Sequence, residues 1–194
     1  DDDLDEPLLL SMKKRLPWLV ILLFLGMFVS SVVGMFEQIV AQIAILICFQ
    51  SLILDMAGNV GTQSLAVTIR VLTDEALPMS EKLHLISKEV RVGLTNGTLL
   101  GVIAFGVVTF YTMVLKHYPL SYSMAVGACV AIALMLAMTI SSFAGTAIPM
   151  VFDKFGVDPA VASGPLITTV NDLVAVISYY GLAWLMLIQV FHLV

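Results

Sequence analysis

The chain has 194 residues, of which 60% are hydrophobic and 12% are charged. Soluble domains are about 45–50% apolar and about 25% charged, so this composition predicts an integral membrane protein. The net charge of −5, without a basic face to meet phosphates, argues against nucleic-acid binding. Cys48 and Cys129 lie in apolar runs and lack the spacing of a disulfide framework or a zinc site.

Five apolar stretches are each long enough to cross a bilayer, which takes about 20 helical residues. They predict an all-α integral membrane protein with five transmembrane helices and no internal repeat. The approximate bounds of these predicted spans are 18–36, 39–72, 92–115, 122–151 and 160–192. Pro17 and Trp18 are typical of a helix start and of a membrane interface, so we expect the first helix to begin there.

The second stretch contains Asp55 and the polar, glycine-rich sequence GNVGTQS at Gly58–Ser64. Glycines at bilayer depth permit local unwinding, which would free backbone carbonyls to face an ion. They are also typical of helices that pack closely on one another. The sequence leaves both interpretations open.

Residues 73–91 are the long polar connection of the chain. Ser80 can cap a short helix, and Leu83, Ile86 and Val90 share one side of it. The other sides carry charges at Glu81, Lys82, Lys88 and Glu89. We therefore predict an amphipathic helix lying at the membrane surface.

The third stretch carries glycines at four-residue spacing, Gly93, Gly97 and Gly101. This spacing predicts a strip for close helix packing. His117, in the turn that follows, has no second ligand at i+3 or i+4, so we expect an interfacial residue and no metal ligand.

The fifth stretch has a single carboxylate, Asp172, in its middle, preceded by Thr168, Thr169 and Asn171. A charge at bilayer depth costs about 2.5–3.5 kcal/mol on insertion scales, so such residues usually face water or a partner. Oxygen atoms around a carboxylate suit a hard cation such as Mg²⁺. The alternative is a buried aspartate that hydrogen-bonds to neighbouring helices.

Basic residues predict the orientation of the chain, because they concentrate on the cytoplasmic side of membranes. One side would hold Lys13, Lys14, Arg15, Arg70, Lys82, Lys88, Arg91 and Lys154, and the other side Lys116. The amino end is therefore predicted to be cytoplasmic and the carboxyl end outside. At about 1.5 Å per residue, Asp172 and the segment Gly58–Gln63 fall at similar depths, as if they line one path.

Three motifs resemble the transmembrane domain of the MgtE family of magnesium channels. They are KKRLPWL at the first span, GNVGTQS in the second and GVDPAVASGPLITTVNDLVAVISYYGLA in the fifth. The resemblance covers nearly the whole chain. It implies a homodimer in the inner (plasma) membrane, surrounded by lipid, whose pore lies at the subunit interface and is lined by the second and fifth helices.

The resemblance also implies the site. Asp172 from two subunits would hold one largely hydrated Mg²⁺, the transported ion, with Thr168 and Gly58 as further contacts. Other divalent cations are further candidate substrates. The remaining pore-lining positions that it implies are Asp55, Asn59, Thr62, Gly164, Thr169 and Asn171. Gly164 departs from some family members, which have Asn there.

Family members carry a cytoplasmic amino-terminal domain and a pair of CBS domains that sense magnesium. The resemblance implies that residues 1–16 are the end of the helix connecting those domains to the membrane. Residues 17–194 would then be the five-helix pore domain, with the amphipathic cytoplasmic loop at 73–91. Because the chain begins at Asp1, we expect the sensing domains upstream of it.

Two other functions remain open. An ion-coupled secondary transporter of divalent cations could use the same polar segments, since broken helices are also a transporter feature. An intramembrane aspartyl protease would need Asp55 and Asp172 to share a proton. The glycine that precedes a catalytic aspartate in such proteases is replaced here by Asn171, so we expect no enzyme.

Overall fold

The computed structural model describes residues 6–74 and 77–192, apart from the side chains of residues 74 and 160–163. Within these ranges the regular elements are all helices, which confirms the all-α prediction. The α-helices are α1 (Leu8–Gly34), α2 (Glu37–Gln42), α3 (Leu46–Asp74), α4 (Met79–Phe110), α5 (Leu120–Lys154) and α6 (Pro159–Leu182). π-Helical segments, Tyr111–Leu115 and Ala183–Val190, extend α4 and α6.

Four helical stretches in the described part are long and apolar enough to cross a membrane. They are Leu8–Gly34, Met79–Leu115, Leu120–Lys154 and Gly164–Val190. α3 has 29 residues, which extend about 44 Å, but its polar segment makes it less apolar than these four. The prediction of an integral membrane protein is thus supported, and the fifth span and the orientation stay predictions.

The predicted start of the first helix was wrong. α1 begins at Leu8, so Pro17 lies inside the helix and does not open it. A proline within a helix removes one backbone hydrogen bond, a loss that membrane helices tolerate. The helix formers between Leu8 and Leu16 extend α1 by more than two turns ahead of the proline.

The second predicted span is divided into α2 and α3, and the division lies at residues 43–45, ahead of the glycine-rich segment. Ile43 has a non-helical backbone, with φ −129° and ψ 74°. α3 runs unbroken through Gly58–Ser64, so of the two interpretations that the sequence left open the structure shows no unwinding and favours close helix packing. The hydroxyl of Thr62 donates to the carbonyl of Gly58 at 2.7 Å, within a regular helical turn.

The prediction of a separate surface helix within residues 73–91 was also wrong. α4 begins at Met79 and continues into the third predicted span, with Pro78 rather than Ser80 at its N-cap. Leu83 is exposed, whereas Leu85 and Glu89 are buried on the stripe that continues to Gly93. The packed side of α4 therefore continues the line of glycines spaced four residues apart. It is not the side that carries Leu83, Ile86 and Val90.

α5 is the central helix, because α3, α4 and α6 all pack against it. A Cβ added to Gly93 would lie 2.2 Å from Ser142 Oγ, and one added to Gly101 would lie 2.9 Å from the carbonyl oxygen of Ala131. The predicted glycine strip is thus confirmed as the contact between α4 and α5. α1, by contrast, has no buried residue and packs mainly on α6.

Candidate ion-conducting face

The contact between α3 and α6 is built on one glycine. A Cβ added to Gly61 would lie 2.2 Å from Nδ2 of Asn171, so the amide fills the space above the glycine. A Cβ on Gly145 of α5 would lie 2.3 Å from the carbonyl oxygen of Gly61. Three helices therefore meet at Gly61, at a distance that only glycine allows.

Two tyrosines hold the other end of the same helix pair together. The hydroxyl of Tyr179 donates to the carbonyl of Leu46 at 2.7 Å, and the hydroxyl of Tyr180 donates to Oε1 of Gln50. Both rings are almost fully buried. Together with Gly61–Asn171, these contacts define an antiparallel register between α3 and α6.

This register sets the relative heights of the predicted site residues. Asp172 follows Asn171 directly and therefore lies about level with Val60, within about 3 Å of Gly58 and Asn59 along the helix axis. One turn away, Thr168 lies about level with Ser64, within about 3 Å of Thr62 along the axis. The two polar segments thus occupy the same height in the bundle, as the depth estimate from the sequence predicted.

The side of α3 that faces away from α5 is polar and uncovered. Asp55, Asn59 and Thr62 are exposed and share one side of the helix, at i, i+4 and i+7, and Gly58 beside them is half-buried. Among the described residues, no atom outside the adjoining helical turn would lie within 4 Å of a Cβ on Gly58. The site residues on α3 therefore border open space in the single chain.

The matching residues of α6 are partly or fully accessible as well. Thr168 is exposed, whereas Asp172, Thr169 and Gly164 are half-buried. Thr168 and Thr169 donate to the carbonyls of Gly164 and Pro165, both at 3.1 Å. Because each hydroxyl proton is used within the helix, the oxygen lone pairs point outward as acceptors. We call Asp55, Asn59, Thr62, Thr168 and Asp172 the polar face.

Asn171 does not belong to the polar face, although it was expected to line the pore. Its side chain is fully buried, and neither amide atom has a hydrogen-bond partner among the described residues. Consecutive helical residues differ by about 100°, so burying Asn171 against Gly61 turns Asp172 toward the edge of the interface. Asn171 thus fixes the direction in which the carboxylate points.

Two polar residues at the polar face were missed by the sequence interpretation. A groove of ≈ 700 Å³ lies beside α3 and is lined by Asn59 and Thr62 together with Gln63 of α3 and Asn96 of α4. Gln63 was part of the GNVGTQS motif. Its exposure could have been inferred from Asn59, because residues four apart share one side of a helix. Asn96 carried no signal, since its place depends on how α4 packs.

Glu89 was also misplaced by the sequence interpretation, which put it on a solvated side. It is 6% exposed and accepts a hydrogen bond from Ser64 Oγ at 3.0 Å. Its position four residues before Gly93 is the signal that would have assigned it to the packed side. This contact fixes the height of α4 against α3.

The chemistry of the polar face suits a weakly held, hydrated cation. No group of three or more His, Cys, Asp or Glu side chains comes together in the described part of one chain. Each chain offers the carboxylate of Asp172 at about the level of several neutral oxygen atoms, and the carboxylate of Asp55 lies about one turn away. Magnesium gives up its water reluctantly and often keeps several water ligands, so such a set can bind it through water.

Comparison with known protein families decides between transport and proteolysis. A family model of divalent cation transporters, MgtE, matches residues 50–182. The chain belongs to the MgtE family. The match covers most of α3 and all of α4, α5 and α6, including every residue of the polar face. The MgtE family consists of transporters, so the expectation that the chain is no enzyme is confirmed.

Curated relatives in three bacteria are named as magnesium transporters MgtE. The chain is 41% identical to the one from Enterococcus faecalis over 94% of its own length and 38% of the relative. For the relative from Bacillus subtilis the identity is 38%, over 88% of this chain and 36% of the relative. For the relative from Thermus thermophilus the identity is 31%, over 89% of this chain and 36% of the relative. The chain therefore spans little more than a third of these MgtE relatives.

Proposed function

We propose that this chain forms the membrane pore of a magnesium transporter, and that the ion passes along the polar face. The observation that carries the proposal is that Asp172 of α6 lies within about one helical turn of the height of Gly58–Asn59 of α3, and that Asn59 is exposed. The relatives' names support magnesium as the substrate. Other divalent cations are competing substrates.

A second copy of the chain would complete the path. Asp55, Asn59, Thr62 and Thr168 are exposed in one chain, and hydrocarbon cannot hydrogen-bond to them. A charge left in lipid would cost about 2.5–3.5 kcal/mol. A homodimer with two-fold symmetry would place two polar faces opposite each other, with a water-filled space between them.

Two Asp172 carboxylates on the two-fold axis would hold a hydrated Mg²⁺ between them. The cation would offset their mutual repulsion and their desolvation. Thr168 Oγ1 and Oδ1 of Asn59 would accept hydrogen bonds from its water shell, and Gly58 would leave room for that shell. Conduction needs binding that is weak enough to release the ion, which contact through water provides.

The continuous helices favour a channel-like path over a coupled transporter. Secondary transporters typically bind their substrates at interrupted helices. Here α3 runs through Gly58–Ser64 without interruption, and α6 does the same through Asp172. The basic residues support an amino end in the cytoplasm of the cell. The location in the inner membrane is what the resemblance to the family implies. Residues 1–16 would link the pore to sensing domains upstream.

The role of Asp172 can be tested by magnesium flux into liposomes that contain the purified protein. Asp172→Asn keeps the size of the side chain and removes one charge per chain. We expect magnesium uptake to fall by at least about tenfold, while folding is preserved because an amide is easier to insert into hydrocarbon than a carboxylate.

Glu81→Gln is the matched control, because it removes the same charge from an exposed position at the start of α4. It should transport like the parent protein. If Asp172→Asn also transports magnesium with unchanged affinity, the carboxylate has a structural role and the proposed ion path is wrong.

A further inference from the structure

The exposed side of α4 changes from basic to apolar along one straight stripe. His84, Lys88 and Arg91 begin it, Thr95 follows, and Leu99 and Ile103 continue it at the same helical spacing. All six side chains are exposed, Leu99 and Ile103 each by 61%. We call His84, Lys88 and Arg91 the basic stripe.

A groove of ≈ 400 Å³ lies against this part of the helix. It is lined by the three residues of the basic stripe together with Val92, Thr95 and Asn96. All six residues belong to α4, so cationic, hydroxyl and amide groups lie side by side on one open surface of the helix. Such a surface fits a phosphate group joined to an ester-linked glycerol.

The charges of the basic stripe are not neutralised within the described part of the chain. Lys82 pairs with Asp153 at 3.0 Å, whereas Lys88 and Arg91 have no carboxylate within ion-pair distance there. The guanidinium of Arg91 donates to Ser87 Oγ, a neutral partner. Glu89, next to Lys88, points to the opposite side and bonds to Ser64.

The dimensions of the stripe match those of one lipid leaflet. His84 and Arg91 are seven residues apart, so the basic stripe covers about 10 Å along the helix. The polar layer of one leaflet is about 5–8 Å thick. Leu99 lies about 12 Å beyond Arg91, where an acyl chain would run.

We propose that the basic stripe with Thr95 binds the headgroup of an anionic phospholipid, whose acyl chains lie along Leu99 and Ile103. Lys88 and Arg91 would bind the phosphate, and Thr95 would donate to the glycerol ester. Basic grooves beside transmembrane helices are typical sites for acidic lipids. The site lies apart from Asp172 and does not depend on the proposed transport function.

Native mass spectrometry of the detergent-purified protein can test this proposal with short-chain phosphatidylglycerol, phosphatidylcholine and glycerol phosphate as probes. Phosphatidylglycerol should bind more tightly than phosphatidylcholine. Each cation near an anionic lipid contributes about fivefold in affinity, so Lys88→Gln/Arg91→Gln should weaken phosphatidylglycerol binding by about 25-fold. Binding of phosphatidylcholine should not change.

Lys13→Gln/Lys154→Gln is the matched control, since it removes two exposed cations elsewhere in the chain. It should bind phosphatidylglycerol like the parent protein, and both double variants should melt at the parental temperature. If the control loses as much affinity for phosphatidylglycerol, the lipid is attracted by the overall charge of the protein and the proposal is overturned. Glycerol phosphate that binds as tightly as phosphatidylglycerol would show a site for soluble anions instead. A parent protein that binds both lipids equally would also contradict a lipid site.

Discussion

The α3–α6 pair and the α4–α5 pair are both packed through small residues, but their outer sides differ. In the first pair Gly61 accommodates the amide of Asn171, and in the second a Cβ added to Gly97 would lie only 3.0 Å from Cα of Met135. The outer side of α4 then exposes large apolar side chains such as Val102 and Val107. The outer side of α3 exposes Asp55, Asn59 and Thr62 instead.

This difference shows what small residues and polar residues each contribute to a membrane protein. Glycine determines how closely two helices approach, in a pore or in a scaffold alike. The chemistry of the opposite side determines whether lipid or water covers it. On this reasoning α4 and α5 support the bundle, while α3 and α6 line the ion path.

The largest expected effect on stability comes from Gly145, where α5 touches the backbone of α3. In Gly145→Ala the new Cβ would lie 2.3 Å from the carbonyl oxygen of Gly61, so two helices must separate. Overpacking of this kind costs about 1–3 kcal/mol or more. Thermal unfolding in detergent should show a clearly lower melting temperature.

Gly106→Ala is the control for that substitution, because no atom lies within 4 Å of the added Cβ. It should leave the melting temperature unchanged or raise it slightly, since alanine favours a helix. Equal losses in the two variants would contradict this account, because the close contact at Gly145 would then not be the cause of the loss.

A substitution with a smaller expected effect on stability should distinguish the function of the α3–α6 pair from that of the α4–α5 pair. In Gly61→Ala the amide of Asn171 must move, and the adjacent Asp172 moves with it. A displacement of about 1 Å can cost up to 100-fold at a binding site, so we expect a half-saturating magnesium concentration at least about tenfold higher. Flux into liposomes at several magnesium concentrations measures this value.

Gly97→Ala makes the same change in the α4–α5 pair, where the added Cβ would lie 3.0 Å from Cα of Met135. It should lower the melting temperature while the half-saturating concentration stays at the parental value. The comparison fails if both variants shift this concentration equally, because the α3–α6 contact would then have no special relation to the ion.

Much of the fold could be predicted from the sequence, because hydropathy and glycine spacing report on length and close contact. The strip from Gly93 to Gly101 is an example. The ends of the helices could not be predicted in the same way. Pro17 resembles a helix start, yet the residues before it also favour a helix. The division at residues 43–45 contains neither glycine nor proline to mark it.

The site was predicted in part, since a carboxylate in an apolar run is visible without any structure. The direction of each side chain was not, because it depends on the neighbouring helix. Asn171 and Asp172 are adjacent polar residues, and only the contact with Gly61 shows that the first is buried. Glu89 reads as a solvated charge until Ser64 is placed beside it.

The central claim is that water covers the polar face of α3 while lipid covers the outside of α4, and cysteine accessibility tests it directly. The Ser64–Glu89 contact places Leu94 of α4 about level with Asn59 of α3, and both side chains are exposed in one chain. Asn59→Cys and Leu94→Cys can therefore be compared at equal depth, with the exposed Cys48 replaced by serine. A membrane-impermeant thiol reagent should modify Asn59→Cys and block magnesium flux, and it should leave Leu94→Cys unmodified. An unreactive Asn59→Cys, or equal modification at both positions, would contradict an ion path along α3 and α6.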